Sequence, residues 1–133
     1  MTGIRKKNVY GAETLADINA ELKAYGESKG CEMSFYQSNH EGDIVDKIQS
    51  AYGNTDGIVI NPAAYTHTSI AIPDALKAVG IPTVEVHISD ISSREAFRRI
   101  SYVSPVALKT IAGKGFEGYI LAMNELISHC KNF

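Results

Sequence analysis

The residues of this chain best suited to chemistry fall in two short runs. Glu85-Val86-His87-Ile88-Ser89 alternates polar and apolar side chains strictly, and in a strand this period puts Glu85, His87 and Ser89 on one face. Asn61-Pro62-Ala63-Ala64-Tyr65-Thr66-His67-Thr68-Ser69 follows another strand-like run and adds an amide, a second imidazole and several hydroxyls. Helix capping by Thr66 or Thr68 accounts for the hydroxyls, but it leaves Asn61 and His67 unexplained. Near the front, Arg5 and Tyr10 flank the polar loop Lys6-Lys7-Asn8-Val9. A phenol is a poor base at neutral pH, yet a neighbouring cation stabilises phenolate, so Arg5 beside Tyr10 makes a usable base. Arg94 and Arg98, four residues apart, share a helical face from which Arg98 can reach a polar substrate oxygen. Asp74 follows Pro73 early in a helix, where a carboxylate favourable to the helix dipole is the default reading.

An alternation of strand and helix has to position these groups. Glu13 to Lys29 has helical rhythm, with Leu15, Ile18 and Leu22 on one stripe and Gly30 as a stop. Cys31 to Gln37 reads as a short strand, Asp43 to Tyr52 as a helix, and Gly57-Ile58-Val59-Ile60 as a buried strand. A helix over Thr68 to Val79 leads through Gly80 into the strand Pro82 to Ser89. Ser92-Ser93-Arg94-Glu95 has the form of a capping box opening a further helix. Val106 to Ile111 is the last strand and Phe116 to Cys130 the last helix. The pattern predicts a doubly wound α/β domain over residues 1–133, with a parallel sheet covered on both faces in a flavodoxin-like arrangement. In such a sheet, ligands bind beyond the carboxyl ends of the strands, where Asn61, Glu85, His87 and Ser89 all fall. Backbone N–H groups at a helix start there can take an anion such as a carboxylate. The same reading gives five helices but four strands, so the strand that normally opens this fold is missing from the pattern.

At 133 residues with 44% hydrophobic content, the chain suits one continuous core. A net charge of -2, with charged residues dispersed, offers no basic stripe for nucleic acid or an anionic membrane, which leaves small-molecule chemistry. The apolar runs are too short to span a bilayer, and no hydrophobic signal region follows the charges at the start, so a cytoplasmic location is expected. Cys31 and Cys130 lack metal-ligand spacing and read as structural thiols. Gly113-Lys114-Gly115-Phe116-Glu117-Gly118 matches the dinucleotide pattern G-x-G-x-x-G. That mechanism needs a following strand and an acidic residue about 20 positions on, and the given sequence ends first. A tight turn with close packing of the last helix on the sheet is expected instead.

Taken together, Arg5 to Gly11, Gln37 to Gly42, Asn61 to Ser69, Glu85 to Ser89, Arg94 to Arg98 and Ser101 to Pro105 closely resemble the type II 3-dehydroquinate dehydratases. The combination of N-P-x-x-Y-T-H-T-S with E-V-H-x-S is highly specific, and the resemblance runs through the chain in order. It implies conversion of 3-dehydroquinate to 3-dehydroshikimate in the shikimate pathway, by anti elimination through an enolate, without metal or organic cofactor. It also implies a homo-oligomer, a dodecamer built from trimers. By the same resemblance Tyr10 is the base that removes the proton next to the ketone, and Arg5 holds it as phenolate. His87 is the general acid toward the departing hydroxyl, and Glu85 orients its ring and supports its charge. Asn61, His67 and Arg98 hold the ring hydroxyls, and the backbone at Ile88 and Ser89 receives the substrate carboxylate. Asp74 reaches a neighbouring subunit's site, and Arg94 supports the pocket.

Departures from the family pattern accompany these matches. The family opens with a strand and an N-G-P-N-L-N-type segment whose Asn stabilises the enolate; the given sequence begins just after it. Asp90 stands where the family has Asn, Ser92-Ser93 replace a His-Ala pair, and Pro73 lies in a helix that usually has Arg there. Removal of an oxyanion-type donor typically costs about 10²- to 10³-fold in rate. The second reading is therefore a family-shaped, catalytically impaired protein with a structural or binding role.

Overall fold

In the computed structural model, the described residues are 15–88 and 100–131. Three parallel strands form a sheet in the order β1 (Ile58–Ile60), β2 (Thr83–His87), β3 (Lys109–Ala112). Four α-helices accompany them among the described residues: α1 (Leu15–Ser28), α2 (Glu41–Ser50), α3 (Ala71–Val79) and α4 (Glu117–Lys131). Short 3-10 turns span Ala63–His67 and Ser104–Val106. The arrangement is the expected flavodoxin-like α/β fold, with helices on both faces of a parallel sheet.

Alternation along the strands decides what each face meets. Ile60 is paired with Glu85, and Glu85 with Thr110, so these three residues share one face. On that side Ile60 packs with Ile48 of α2, Ile72, Ala75 and Leu76 of α3, and Val103. On the opposite face Val84, Val86 and Ile111 pack against Ala122 and Leu126 of α4. Ile18 and Leu22 of α1 extend that layer through Met123. Ile72, Val84, Val86 and Val103 are fully buried, each such side chain contributing about 1.5–3 kcal/mol by leaving water. β2 is buried at all five positions, as a strand between two neighbours and two helical layers must be.

Several expected boundaries move. The strand expected over Val106 to Ile111 is Lys109–Ala112, because Ser104–Val106 close a 3-10 turn on Pro105 before the chain enters the sheet. The helix expected from Thr68 starts at Ala71, since residues 63–67 take a separate 3-10 turn. The larger correction is Cys31 to Gln37, which is irregular rather than a strand. A strand exists only against a partner. In the doubly wound order 2-1-3-4-5, a second strand pairs with the first alone. Among the described residues none fills that place: β1 is paired on one edge only. Between it and residues 34–39 lies a cavity of about 720 Å³, lined also by Ile18, Leu22, Val59, Tyr119 and Met123.

The glycine run after β3 is the expected tight turn. Gly113 and Gly115 have φ of 76° and 59°. A Cβ on Gly118 would stand 3.2 Å from Val86 Cγ1, so α4 lies close on β2 there. The expected capping box at Ser92 and its helix lie outside the described residues.

Candidate active site

Glu85 and His87 protrude from the same face of β2, two residues apart, and both are buried. His87 Nε2 lies 2.5 Å from Glu85 Oε2, so the two form an ion pair when the ring is protonated. This contact turns Nδ1 away from the carboxylate. A neutral ring donating through Nε2 keeps Nδ1 as an acceptor; protonation gives Nδ1–H, a proton available to another molecule.

Glu85 is fully buried, the costliest position for a carboxylate. Its remaining lone pairs are filled by hydroxyls: Ser101 Oγ donates to Oε2 at 2.7 Å, while Ser104 Oγ and Thr110 Oγ1 reach Oε1 at 2.9 and 3.0 Å. Burial works to raise its pKa. The hydrogen bonds from His87, Ser101 and Ser104, together with the charge of His87, outweigh that and hold Glu85 below the ordinary carboxylate value. The group is an anion in the protein interior.

The segment that supplies the serines also reaches the second imidazole. The Ile100 carbonyl lies 2.7 Å from His67 Nδ1, and a carbonyl only accepts, so Nδ1 carries a proton, and in the neutral ring Nε2 is the acceptor. Next along the chain, Tyr102 N–H donates to the Thr66 carbonyl at 3.0 Å. Residues 100–104 thus tie the His67 turn to the Glu85–His87 pair. Val103, fully buried in the α2–α3 core, anchors them.

Asn61 follows β1 directly and is fixed at both ends of its amide. Oδ1 accepts from Ala63 N–H at 3.1 Å, and Nδ2 donates to Tyr119 Oη at 3.2 Å. Among the described residues the second Nδ2 proton has no partner, which leaves it for a ligand. Burial raises the Tyr119 pKa, against the opposing hydrogen bond from Asn61, so this phenol stays neutral. Ala63 has φ of 53°, the one left-handed non-glycine among the described residues; such strain collects at turns that present functional groups. Asn61, Ala63, Tyr65 and Tyr119 line the 720 Å³ cavity, and Tyr65 Oη donates to the Asn39 carbonyl at 2.9 Å.

The expected site residues fare differently. Glu85 and His87 come together, and His67 joins them through residues 100–104, while Asn61 stands at the rim of the neighbouring cavity. The Ile88 carbonyl accepts from Gly115 N–H at 3.0 Å, which pins the end of β2 to the glycine turn. Asp74 is exposed in the first turn of α3, away from that helix's buried face. Arg5, Tyr10, Ser89, Arg94 and Arg98 lie outside the described residues. Four residues not singled out individually from the sequence, Ser101, Ser104, Thr110 and Tyr119, prove to hold the site together.

The chain and its fold have close counterparts. A family model described as dehydroquinase class II matches residues 1–127. The chain is 52% identical over 127 residues to the 3-dehydroquinate dehydratase of Sulfurimonas denitrificans, covering 96% of this chain and 79% of that protein. It is 50% identical over 131 residues to catabolic 3-dehydroquinase 1 of Neosartorya fischeri, covering 98% and 87%. The crystal structure of the type II dehydroquinase from Butyrivibrio crossotus superposes with a TM-score of 0.87 at 54% identity, covering 93% of this chain and 87% of that one. With that match across its length and a buried Glu–His pair where the sequence motif puts it, the chain belongs to the class II dehydroquinase family.

Proposed function

We propose that this protein is a lyase that removes water from 3-dehydroquinate to give 3-dehydroshikimate, by anti elimination through an enolate, as a step of the shikimate pathway. The observation that carries the reading is the buried His87–Glu85 pair at the carboxyl end of β2. An imidazole held by an anion on Nε2 is a general acid through Nδ1.

In this reading the Tyr10 phenolate, supported by Arg5, takes the proton from the carbon next to the ketone. The electron pair of that C–H bond passes into an enolate. When the enolate collapses, the C–O bond to the leaving hydroxyl breaks, a C=C bond forms, and the hydroxyl takes a proton from His87 as it departs as water. Glu85 stabilises His87 while it is charged. Asn61, His67 and Arg98 hold the ring hydroxyls: the free N–H of Asn61 and the open Nε2 of His67 offer one donor and one acceptor. The backbone at Ile88 and Ser89 receives the substrate carboxylate, with Arg94 supporting the pocket.

Assembly belongs to the same proposal. Ile70, Ile100 and Leu108 are exposed, apolar surface that a homo-oligomer of the dodecameric type would cover, with Asp74 reaching an adjacent site. Among the described residues no helix is long and apolar enough to cross a membrane, which suits a cytoplasmic metabolic enzyme.

The test compares wild type with His87→Ala and Tyr10→Phe, following the conjugated enone absorbance of dehydroshikimate. Loss of about 10²-fold or more in kcat in both, with substrate still bound, is expected. Unchanged turnover in either variant contradicts the roles given.

A further inference from the structure

We propose that Ser101, Ser104 and Thr110 are positioning residues: their three hydroxyls hold the Glu85 carboxylate ionised and turned toward His87, and so set the lower pH limit of the reaction. The inference rests on the role of His87 proposed above and extends it to residues that never touch substrate.

Counting lone pairs makes the case. An ionised carboxylate has about four acceptor sites, and Glu85 has four partners: His87 Nε2 and Ser101 Oγ on Oε2, Ser104 Oγ and Thr110 Oγ1 on Oε1. A carboxyl group that picked up a proton would have to turn one of these donors away. The Ser101 oxygen also accepts the Ser104 N–H at 3.0 Å, which holds the hydroxyl in place, and because an ionised carboxylate only accepts, the Ser101 proton is directed to Glu85.

Ser104 and Thr110 also lie 2.8 Å from one another; each hydroxyl has a single proton, so if one turns its proton to the other hydroxyl, that other still donates to Oε1, and the carboxylate oxygen is never left bare. Their positions are structural necessities. Thr110 is the register partner of Glu85 across the β2–β3 ladder. The serines are set by a turn whose Val103 is buried in the core and whose Pro105 opens the 3-10 turn.

Within the described residues, charge facing Glu85 comes from His87 alone. From β3 comes the Thr110 hydroxyl and from the 101–104 segment the two serine hydroxyls. The helices on this side, α2 and α3, turn Asp43, Asp46, Lys47, Asp74 and Lys77 outward to exposed positions. His67 is engaged with the Ile100 carbonyl. The hydroxyls therefore act together with His87 to keep the carboxylate ionised.

The test uses Ser101→Ala, Thr110→Val, which keeps shape and removes the hydroxyl, and Thr110→Ser, which restores it. Two readouts are taken in the 133-residue chain: the carbon-13 titration of the Glu85 carboxyl, and the pH profile of kcat. In Ser101→Ala and Thr110→Val the Glu85 midpoint is expected to rise by about one pH unit. The acid limb of kcat should follow it upward, while Thr110→Ser stays with wild type. A Glu85 midpoint that does not move, or a kcat that falls equally at all pH with the limb in place, overturns the proposal. Should wild type fail to turn over 3-dehydroquinate, the reaction assignment falls, and the carboxyl titration alone decides whether the hydroxyls hold the anion.

Discussion

Thr110 lies directly across the β2–β3 ladder from Glu85, and its hydroxyl reaches the buried carboxylate at 3.0 Å. Sheet register, rather than proximity in sequence, thus provides part of the support for the carboxylate on which His87 rests. The same logic extends to Ser101 and Ser104, which approach from a turn anchored in the core by Val103.

Glu85→Gln keeps the shape of the side chain and removes its charge. The amide can still accept from hydroxyls but no longer stabilises an imidazolium, so kcat should fall by about 10²- to 10³-fold with KM changed little. Steady-state kinetics at the pH optimum checks this. An unchanged kcat would mean that His87 needs no anionic partner.

The same carboxylate ties stability to pH. Its pKa in the folded protein is lowered, so its stabilising contribution is complete above the unfolded value of about 4.3 and fades as pH falls through the lower folded value. Urea unfolding midpoints should decline more steeply with acidification in wild type than in Glu85→Gln over that range. Parallel curves for the two proteins would contradict the assignment.

Much of this site could be read in the sequence, and the limits have a physical origin. The period-2 run at Glu85 and His87 declares a shared face, because alternation is a property of the strand itself. The turn at Gly113 to Gly118 was legible for the same reason: its constraint is local. Cys31 to Gln37 reads as a strand because strand-like composition cannot tell whether a pairing partner stands beside it, and among the described residues none does. Ser101 and Thr110 lie 16 and 25 residues beyond Glu85. Their hydroxyls look like ordinary turn and strand chemistry until the fold brings them to the carboxylate. Tyr119 reads as a core aromatic of α4, and its contact with Asn61 spans 58 positions.

Tyr119→Phe removes the acceptor for Asn61 Nδ2 and leaves that amide free to turn. One neutral hydrogen bond is worth about 1 kcal/mol, so KM should rise about fivefold while kcat holds. An effect confined to kcat would place Asn61 in the chemical step rather than in substrate binding.

Gly80 caps α3 with φ of 68° and has open space where a Cβ would go. Gly80→Ala therefore isolates the backbone cost of a left-handed alanine, about 1–2 kcal/mol. Chemical denaturation should show that loss with kcat retained. No change in stability would argue against the left-handed cap that turns the chain from α3 toward β2.

The most direct measurement is to add 3-dehydroquinate to the purified 133-residue chain and follow the enone absorbance of dehydroshikimate. A steady rise in wild type that is lost in His87→Ala is the predicted result. A folded wild-type protein that binds substrate and produces no enone would contradict the account and favour a binding role for this family member.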